Sequence, residues 1–218
     1  MNKEISRIPI ANMIVLLTMA GIIIAAIRPW AAWEPGRIVD MYGWNLFSYF
    51  TVLSNLFAAA VFILAAVVII RQKPFGDWFR YIRGAAVLYM LVTGLVYTLL
   101  LQNNPEANLS LGFDWRNFIL HQLAPLFIVV WWLLWPSKKS ISAREAWWWL
   151  VFPILWAVVI LARASVTGWY PYPFLDPNKV GGYGGVFVYI FVIAAVIACL
   201  GQLIAWISRE RSRNTSLY

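Results

Sequence analysis

Six long runs of apolar residues, separated by short polar and basic segments, leave this chain little choice of fold. A helix needs about 20 such residues to cross the roughly 30 Å hydrocarbon core of a bilayer. The runs near 8–27, 46–70, 84–102, 118–135, 147–164 and 186–207 are of that order. They are continuous and do not alternate, which excludes the strands of a β-barrel. Over 218 positions, 62% of residues are hydrophobic and 12% charged, too few polar groups to clothe a soluble core. The expected fold is therefore all-α, a polytopic membrane protein with one domain of six transmembrane helices. The first run follows MNKEISR, which resembles a signal-peptide n-region. It is longer than the roughly 7–15 residues of a signal h-region, so it reads as a retained helix.

The net charge of +8 would suit a nucleic-acid binder if the charges were clustered on a soluble surface. Their placement gives another meaning. Lys3, Arg7, Arg71, Lys73, Arg80, Arg83, Lys138, Lys139, Arg144, Arg209, Arg211 and Arg213 fall on one side of the six spans. Arg28, Arg37, Arg116 and Lys179 fall on the other, and Arg163 lies within a span. The positive-inside rule then puts both termini in the cytoplasm, as in a bacterial inner-membrane protein, and gives the twelve basic residues anionic headgroups as partners. Trp30, Trp33, Trp44, Trp115 and Trp169 map to the outer interface. Trp78, Trp132, Trp135, Trp147, Trp148, Trp149 and Trp206 map to the inner one. Indole favours that depth because it is apolar with a single N–H to satisfy. The outer segment 165–185, with Pro171, Pro173, Pro177 and GGYGG, reads as a fixed non-helical cover.

Polar side chains inside a membrane are costly, so their depth is informative. Ser48, Thr51, Ser54 and Asn55 share one side of the second span, in its outer half. Tyr89, Thr93 and Tyr97 form a stripe on the third, with Thr98 and Gln102 beyond it. The fourth opens with His121 and Gln122, and the fifth ends with Arg163, Ser165 and Thr167. The inner half holds little beyond Cys199 and Gln202. Such a belt fits a pocket open to one side better than a path through the membrane. Pro125 has no N–H for the carbonyl four residues back, so the His121 carbonyl is expected to lie free beside the imidazole.

His121 is the sole histidine and the one side chain able to act as a neutral base near pH 7. The hydroxyls at its depth are Thr51, Ser48, Ser54, Thr93 and Thr98, each of which needs such a base to attack an ester. Arg163 keeps its charge and needs an anion. Asp176, Asp114 or Glu106 would supply one as a structural pair; a fatty-acid carboxylate or phosphate would supply one as a ligand. The chain has one cysteine and one histidine, so metal clusters and disulfides are not expected, and no cofactor motif is present.

FSYFTVLSNLFAA around Thr51 and FILHQLAPLFIVVWWLLWP around His121 resemble the androgen-induced and androgen-dependent membrane hydrolase family, and its small bacterial members in particular. WYPYPFLDP at 169–177 resembles the bacterial members too. The likeness runs from the second span to the start of the sixth. It implies six spans and hydrolysis of fatty-acid esters of hydroxy fatty acids by an intramembrane threonine and a histidine. By position these are Thr51 and His121. No acid that would orient the histidine is identifiable.

The expected function is thus a lipid-ester hydrolase without cofactor, with membrane lipids as its partners and no nucleic acid. Thr51 attacks, His121 carries the proton, Asn55 or Ser54 donates to the oxyanion, and Arg163 and Tyr97 touch the substrate. Acyl transfer with the same residues is the second reading. A non-catalytic lipid or solute binder or carrier is the third. No acidic residue lies deep in a span, which argues against proton-coupled transport.

Overall fold

A computed structural model describes residues 10–31, 43–103, 114–137 and 139–215. The regular structure among them is helical, with no strand. In chain order the helices are α1 (Ile10–Ala31), α2 (Phe50–Ile70), α3 (Asp77–Leu101), α4 (Trp115–Leu134), α5 (Ala143–Thr167) and α6 (Tyr183–Thr215). Helices α2 to α6 are each long and apolar enough to cross a membrane, while α1 contributes a shorter apolar stretch, Ala11–Ile27. Large apolar side chains face outward in numbers no aqueous surface tolerates, among them Val166, Phe191 and Leu99 at 87%, 75% and 70% exposure. Such a surface is that of a membrane-integral bundle.

The helix ends depart from the apolar runs. The second run was expected from residue 46, but Gly43–Ser48 form a 3₁₀ turn and α2 begins at Phe50. Helix α3 begins at Asp77, seven residues ahead of its apolar run, and so carries Arg80 and Arg83 on a helix. Apolarity marks the part of a helix that suits hydrocarbon; backbone hydrogen bonding continues past it.

Several basic residues assigned to headgroups have protein partners. Arg80 donates two hydrogen bonds to Glu145, at 2.7 and 3.3 Å. Arg83 is buried, donates to Ser137 Oγ at 2.8 Å and lies over the Trp131 ring. Lys139 pairs with Asp77 at 2.5 Å. Lys3, Arg7, Arg37 and Lys138 lie outside the described residues. Trp78, Trp147, Trp148, Trp206 and Trp115 are exposed, as interface anchors are, but Trp132 and Trp149 are buried in the bundle. Trp149 fills the space beside Gly84. The side chains of Trp30, Trp33 and Trp44 are outside those described.

The bundle is built outward from α3. Helix α2 packs between α1 and α3, and α3 also packs on α4 and α6. A capping box at Ser142 and Glu145 starts α5. Gly168, at φ 69°, ends it. The segment from there to α6 folds back over the bundle and buries Tyr172, Phe174 and Leu175. This is the expected cover, with one 3₁₀ turn, Pro173–Leu175. GGYGG divides at Tyr183: Gly181 and Gly182 turn the chain at φ 77° and 90°, and the rest is the first turn of α6.

Candidate active site

The site forms where α2 begins, and an unusual turn in α4 meets it. The N-cap position of α2 is Tyr49, whose side chain makes no capping bond. A helix start leaves N–H groups without intrahelical acceptors. The Thr51 N–H finds its acceptor in the phenol oxygen of Tyr172, 3.3 Å away in the cover segment. Thr51 therefore sits in the first turn, at the positive end of the helix dipole, with its side chain toward α4.

In α4 the residues Ile119–Leu123 take π-helical spacing. Ala124 N–H bonds the Ile119 carbonyl, five residues back. In that register the next donor would be Pro125 to Leu120, and proline has no N–H. The Leu120 carbonyl instead accepts from Asn55 Nδ2 at 3.1 Å, and the same Nδ2 donates to the Thr51 carbonyl at 2.9 Å. Asn55 thus ties the two catalytic candidates' backbones together. This shifts the rescued carbonyl from the expected His121 to Leu120. The His121 carbonyl packs on the backbone of α3, where a Cβ added at Gly94 would stand 3.0 Å from it. A second π-helical stretch, Tyr97–Leu101, ends α3. Wide turns of this kind gather at functional sites because they re-aim side chains.

These turns bring Thr51 Oγ1 to 3.2 Å from His121 Nε2. The other ring nitrogen, Nδ1, lies 3.0 Å from the Asn117 carbonyl. A carbonyl accepts and never donates, so in the neutral ring Nδ1 carries the hydrogen. Nε2 is then the free lone pair that receives the threonine O–H. The orienting group absent from the sequence reading is thus a backbone carbonyl in place of an acid. Tyr97 lies flat on the imidazole, centroids 4.0 Å apart, and its hydroxyl accepts from Asn117 Nδ2 at 2.8 Å. Ring rotation is blocked from both the edge and the face.

A partly open, mostly apolar cavity of about 70 Å³ lies on the other side of Thr51. It runs between α3, α5, α6 and the cover, walled by residues such as Val96, Ile154, Ile193 and Phe174. Its polar side chains are Thr51, Thr93, Tyr97 and Tyr172, together with the Trp156 indole. The Thr93 hydroxyl is buried without a hydrogen-bond partner. The arrangement places an apolar, partly open pocket beside Thr51, with a few polar groups in its wall.

Ser54 and Asn55 lie outside this cavity's wall. Ser54 Oγ donates to the Phe50 carbonyl at 2.7 Å, the usual four-back bond of a helical serine. With the Asn55 donor held by two carbonyls, both are structural, which corrects their reading as oxyanion donors. Arg163 is not in the wall either. It donates to Ser48 Oγ at 2.7 Å and to Asn45 Oδ1, and lies over the Trp169 ring. Of the carboxylates weighed as its partner, Asp114 caps α4 and binds Arg116, and Asp176 accepts from Asn178. Glu106 lies outside the described residues. Arg163 therefore pins the 3₁₀ turn ahead of α2 and pairs with neutral oxygens among the described residues. Thr98 back-bonds to Gly94.

Sequence reasoning missed Tyr172. It lies in the WYPYPFLDP segment, between Pro171 and Pro173, where a rigid backbone would hold a side chain in place. That was the available signal.

No family model, curated protein or solved structure matches this chain.

Proposed function

We propose that the protein is an intramembrane lipid-ester hydrolase with Thr51 as nucleophile and His121 as general base. The reading rests above all on the 3.2 Å contact between Thr51 Oγ1 and His121 Nε2 at the wall of an apolar cavity. The imidazole's hydrogen is held on Nδ1, which leaves Nε2 as a base. The resemblance of the Thr51 and His121 segments to the androgen-induced and androgen-dependent membrane hydrolases supports the same roles and a long-chain fatty-acid ester as substrate.

In the reaction, Thr51 Oγ1 attacks the ester carbonyl carbon as its proton passes to His121 Nε2. The carbonyl electron pair moves to oxygen and gives a tetrahedral oxyanion. Collapse re-forms the carbonyl, breaks the bond to the alcohol oxygen, and returns the proton from Nε2 to that leaving group. Water then attacks the acyl-threonine by the same route and releases a fatty acid. The acyl chain occupies the apolar cavity. No cofactor enters this scheme. With six spans and both termini in the cytoplasm, the reacting groups stand beneath the outer headgroups, and the bundle is that of a bacterial inner membrane.

The test is turnover of a long-chain ester by purified Thr51→Ala and His121→Ala proteins. Loss of turnover in both, with folding retained, is expected. Retained hydrolysis in either variant removes that residue from its role. Product analysis with an added acceptor alcohol separates hydrolysis from acyl transfer.

A further inference from the structure

The proposed chemistry needs a donor for the oxyanion, and the two residues first considered for it are occupied elsewhere. Ser54 and Asn55 donate to backbone carbonyls. The Thr51 N–H points to Tyr172. The Thr93 hydroxyl lines the cavity but has no hydrogen bond to Thr51 or to any other group among the described residues. Tyr172 is different. Its hydroxyl lies 3.5 Å from Thr51 Oγ1, and it lines the cavity on the Thr51 side.

We infer that Tyr172, from the cover segment, is a third catalytic residue, whose phenol O–H donates to the oxyanion formed on the ester carbonyl. This rests on the hydrolase reading above. The phenol oxygen accepts the Thr51 N–H, and with the Thr51 O–H given to His121 the phenol hydrogen has only the long 3.5 Å contact to Thr51 Oγ1, which it can exchange for the oxyanion. Accepting from the start of a helix also polarises that O–H and makes it a better donor. An oxygen on the carbon that Thr51 attacks is within reach of a donor 3.5 Å from the attacking atom. Burial pushes the Tyr172 phenol up from its ordinary pKa, opposed by its bonds from Thr51 and Phe50, so the donor keeps its hydrogen at neutral pH. The ring is held for this work. Phe174 stacks on it at 5.2 Å with an interplanar angle of 6°, and Tyr49 meets it edge-on at 5.7 Å. Preorganised donors of this kind act because they need no rearrangement when charge develops.

The proton balance follows. The threonine proton goes to His121 Nε2. The Tyr172 proton stays on its own oxygen and is shared with the oxyanion until collapse, so the phenol starts and ends neutral. Because Tyr172 belongs to the cover, the oxyanion site is completed by a segment outside the long helices.

Tyr172→Phe keeps the ring stack and removes the donor. Its kcat should fall about 10²–10³-fold, the usual effect of losing one oxyanion donor, with KM nearly unchanged. A long-chain trifluoromethyl ketone, which adds to Thr51 and leaves an oxyanion, supplies a second readout. Its affinity should fall by a similar factor in Tyr172→Phe, while affinity for a long-chain ether of the same shape stays within about threefold. A merely structural tyrosine would weaken both inhibitors together, and that result overturns the inference. So does a Tyr172→Phe protein with wild-type kcat. If Tyr172→Phe does not fold, 3,5-difluorotyrosine at 172 keeps the hydroxyl and raises its acidity. A several-fold change in ketone affinity without a change in ether affinity is then expected, and equal affinities overturn the inference. The wild-type protein separates the two ideas. If the ketone fails to form an adduct at Thr51 there, the hydrolase reading falls and takes the inference with it. If the adduct forms equally well in Tyr172→Phe, the inference alone falls.

Discussion

The two ends of the bundle both bury polar side chains, and they treat them differently. At the end away from the cover, polar side chains are tied to other parts of the bundle, although Arg80 Nε, Arg83 Nε and the Trp149 indole N–H have no partner among the described residues. Arg80 holds Glu145 with two hydrogen bonds, Ser208 Oγ accepts the Ile141 N–H at 3.0 Å, and Gln202 donates to the Ala143 carbonyl at 3.1 Å. At the cover end, Thr51, His121 and Tyr172 meet at 3.2–3.5 Å, and the Thr93 hydroxyl has no partner. Thr51, Thr93 and Tyr172 line a cavity, which none of the side chains named at the other end does. Buried polar groups tied into the scaffold serve stability, while groups that face a cavity are available to a reacting molecule. Polarity inside a membrane marks a place of interest; whether it faces a cavity separates scaffold from chemistry.

That contrast can be broken by substitution. The largest stability effect should come from Glu145→Ala, which leaves the buried Arg80 guanidinium without its counter-charge and removes a capping box. About 3 kcal/mol is expected, the low end for breaking a buried ion pair because the Glu145 side chain is itself 36% exposed. Thermal unfolding in detergent measures it, and kcat of the folded fraction should be unchanged. Asn55→Ala tests the seam between scaffold and site. It orphans the Leu120 carbonyl, so about 1–3 kcal/mol of stability should be lost, and kcat should fall with it as Thr51 and His121 drift apart. Unchanged kcat would show that the tie is not what sets their distance. Thr93→Val replaces an unpartnered buried hydroxyl with a methyl of similar shape. A gain of about 1 kcal/mol is expected, and a loss would mean that the hydroxyl has a hydrogen-bonded role. The smallest effect should be that of Lys139→Ala. Its bond to Asp77 joins two side chains that are 61% and 68% exposed, and the unfolding midpoint should not move measurably.

Much of this contrast was legible in the sequence, for identifiable reasons. Apolar run length located the helices, since hydrocarbon thickness fixes how many residues are needed. The depth of the polar residues brought attention to Thr51, His121 and Tyr97, and Pro125 marked the turn of α4 where a carbonyl loses its donor. What stayed hidden depends on register. Whether Asn55 faces a cavity or a neighbouring carbonyl is decided by the π-helical step at Ile119–Leu123, which no residue type announces. Arg163 was expected to meet an anion, yet the 3₁₀ turn Gly43–Ser48 supplied Ser48 and Asn45 as partners ahead of any carboxylate among the described residues. Tyr172 is 121 residues from Thr51, and only the folding back of the cover brings them together. Trp132 and Trp149 were assigned to the interface by residue type, although large rings also fill wide gaps between helices.

The central claim is that Thr51 is a nucleophile activated by His121. The most direct measurement is to treat the purified protein with a long-chain fluorophosphonate, digest it and map the modified residue by mass spectrometry. The account predicts an adduct on Thr51 that disappears in His121→Ala. An adduct on another residue, or labelling of Thr51 that is indifferent to His121, would contradict it.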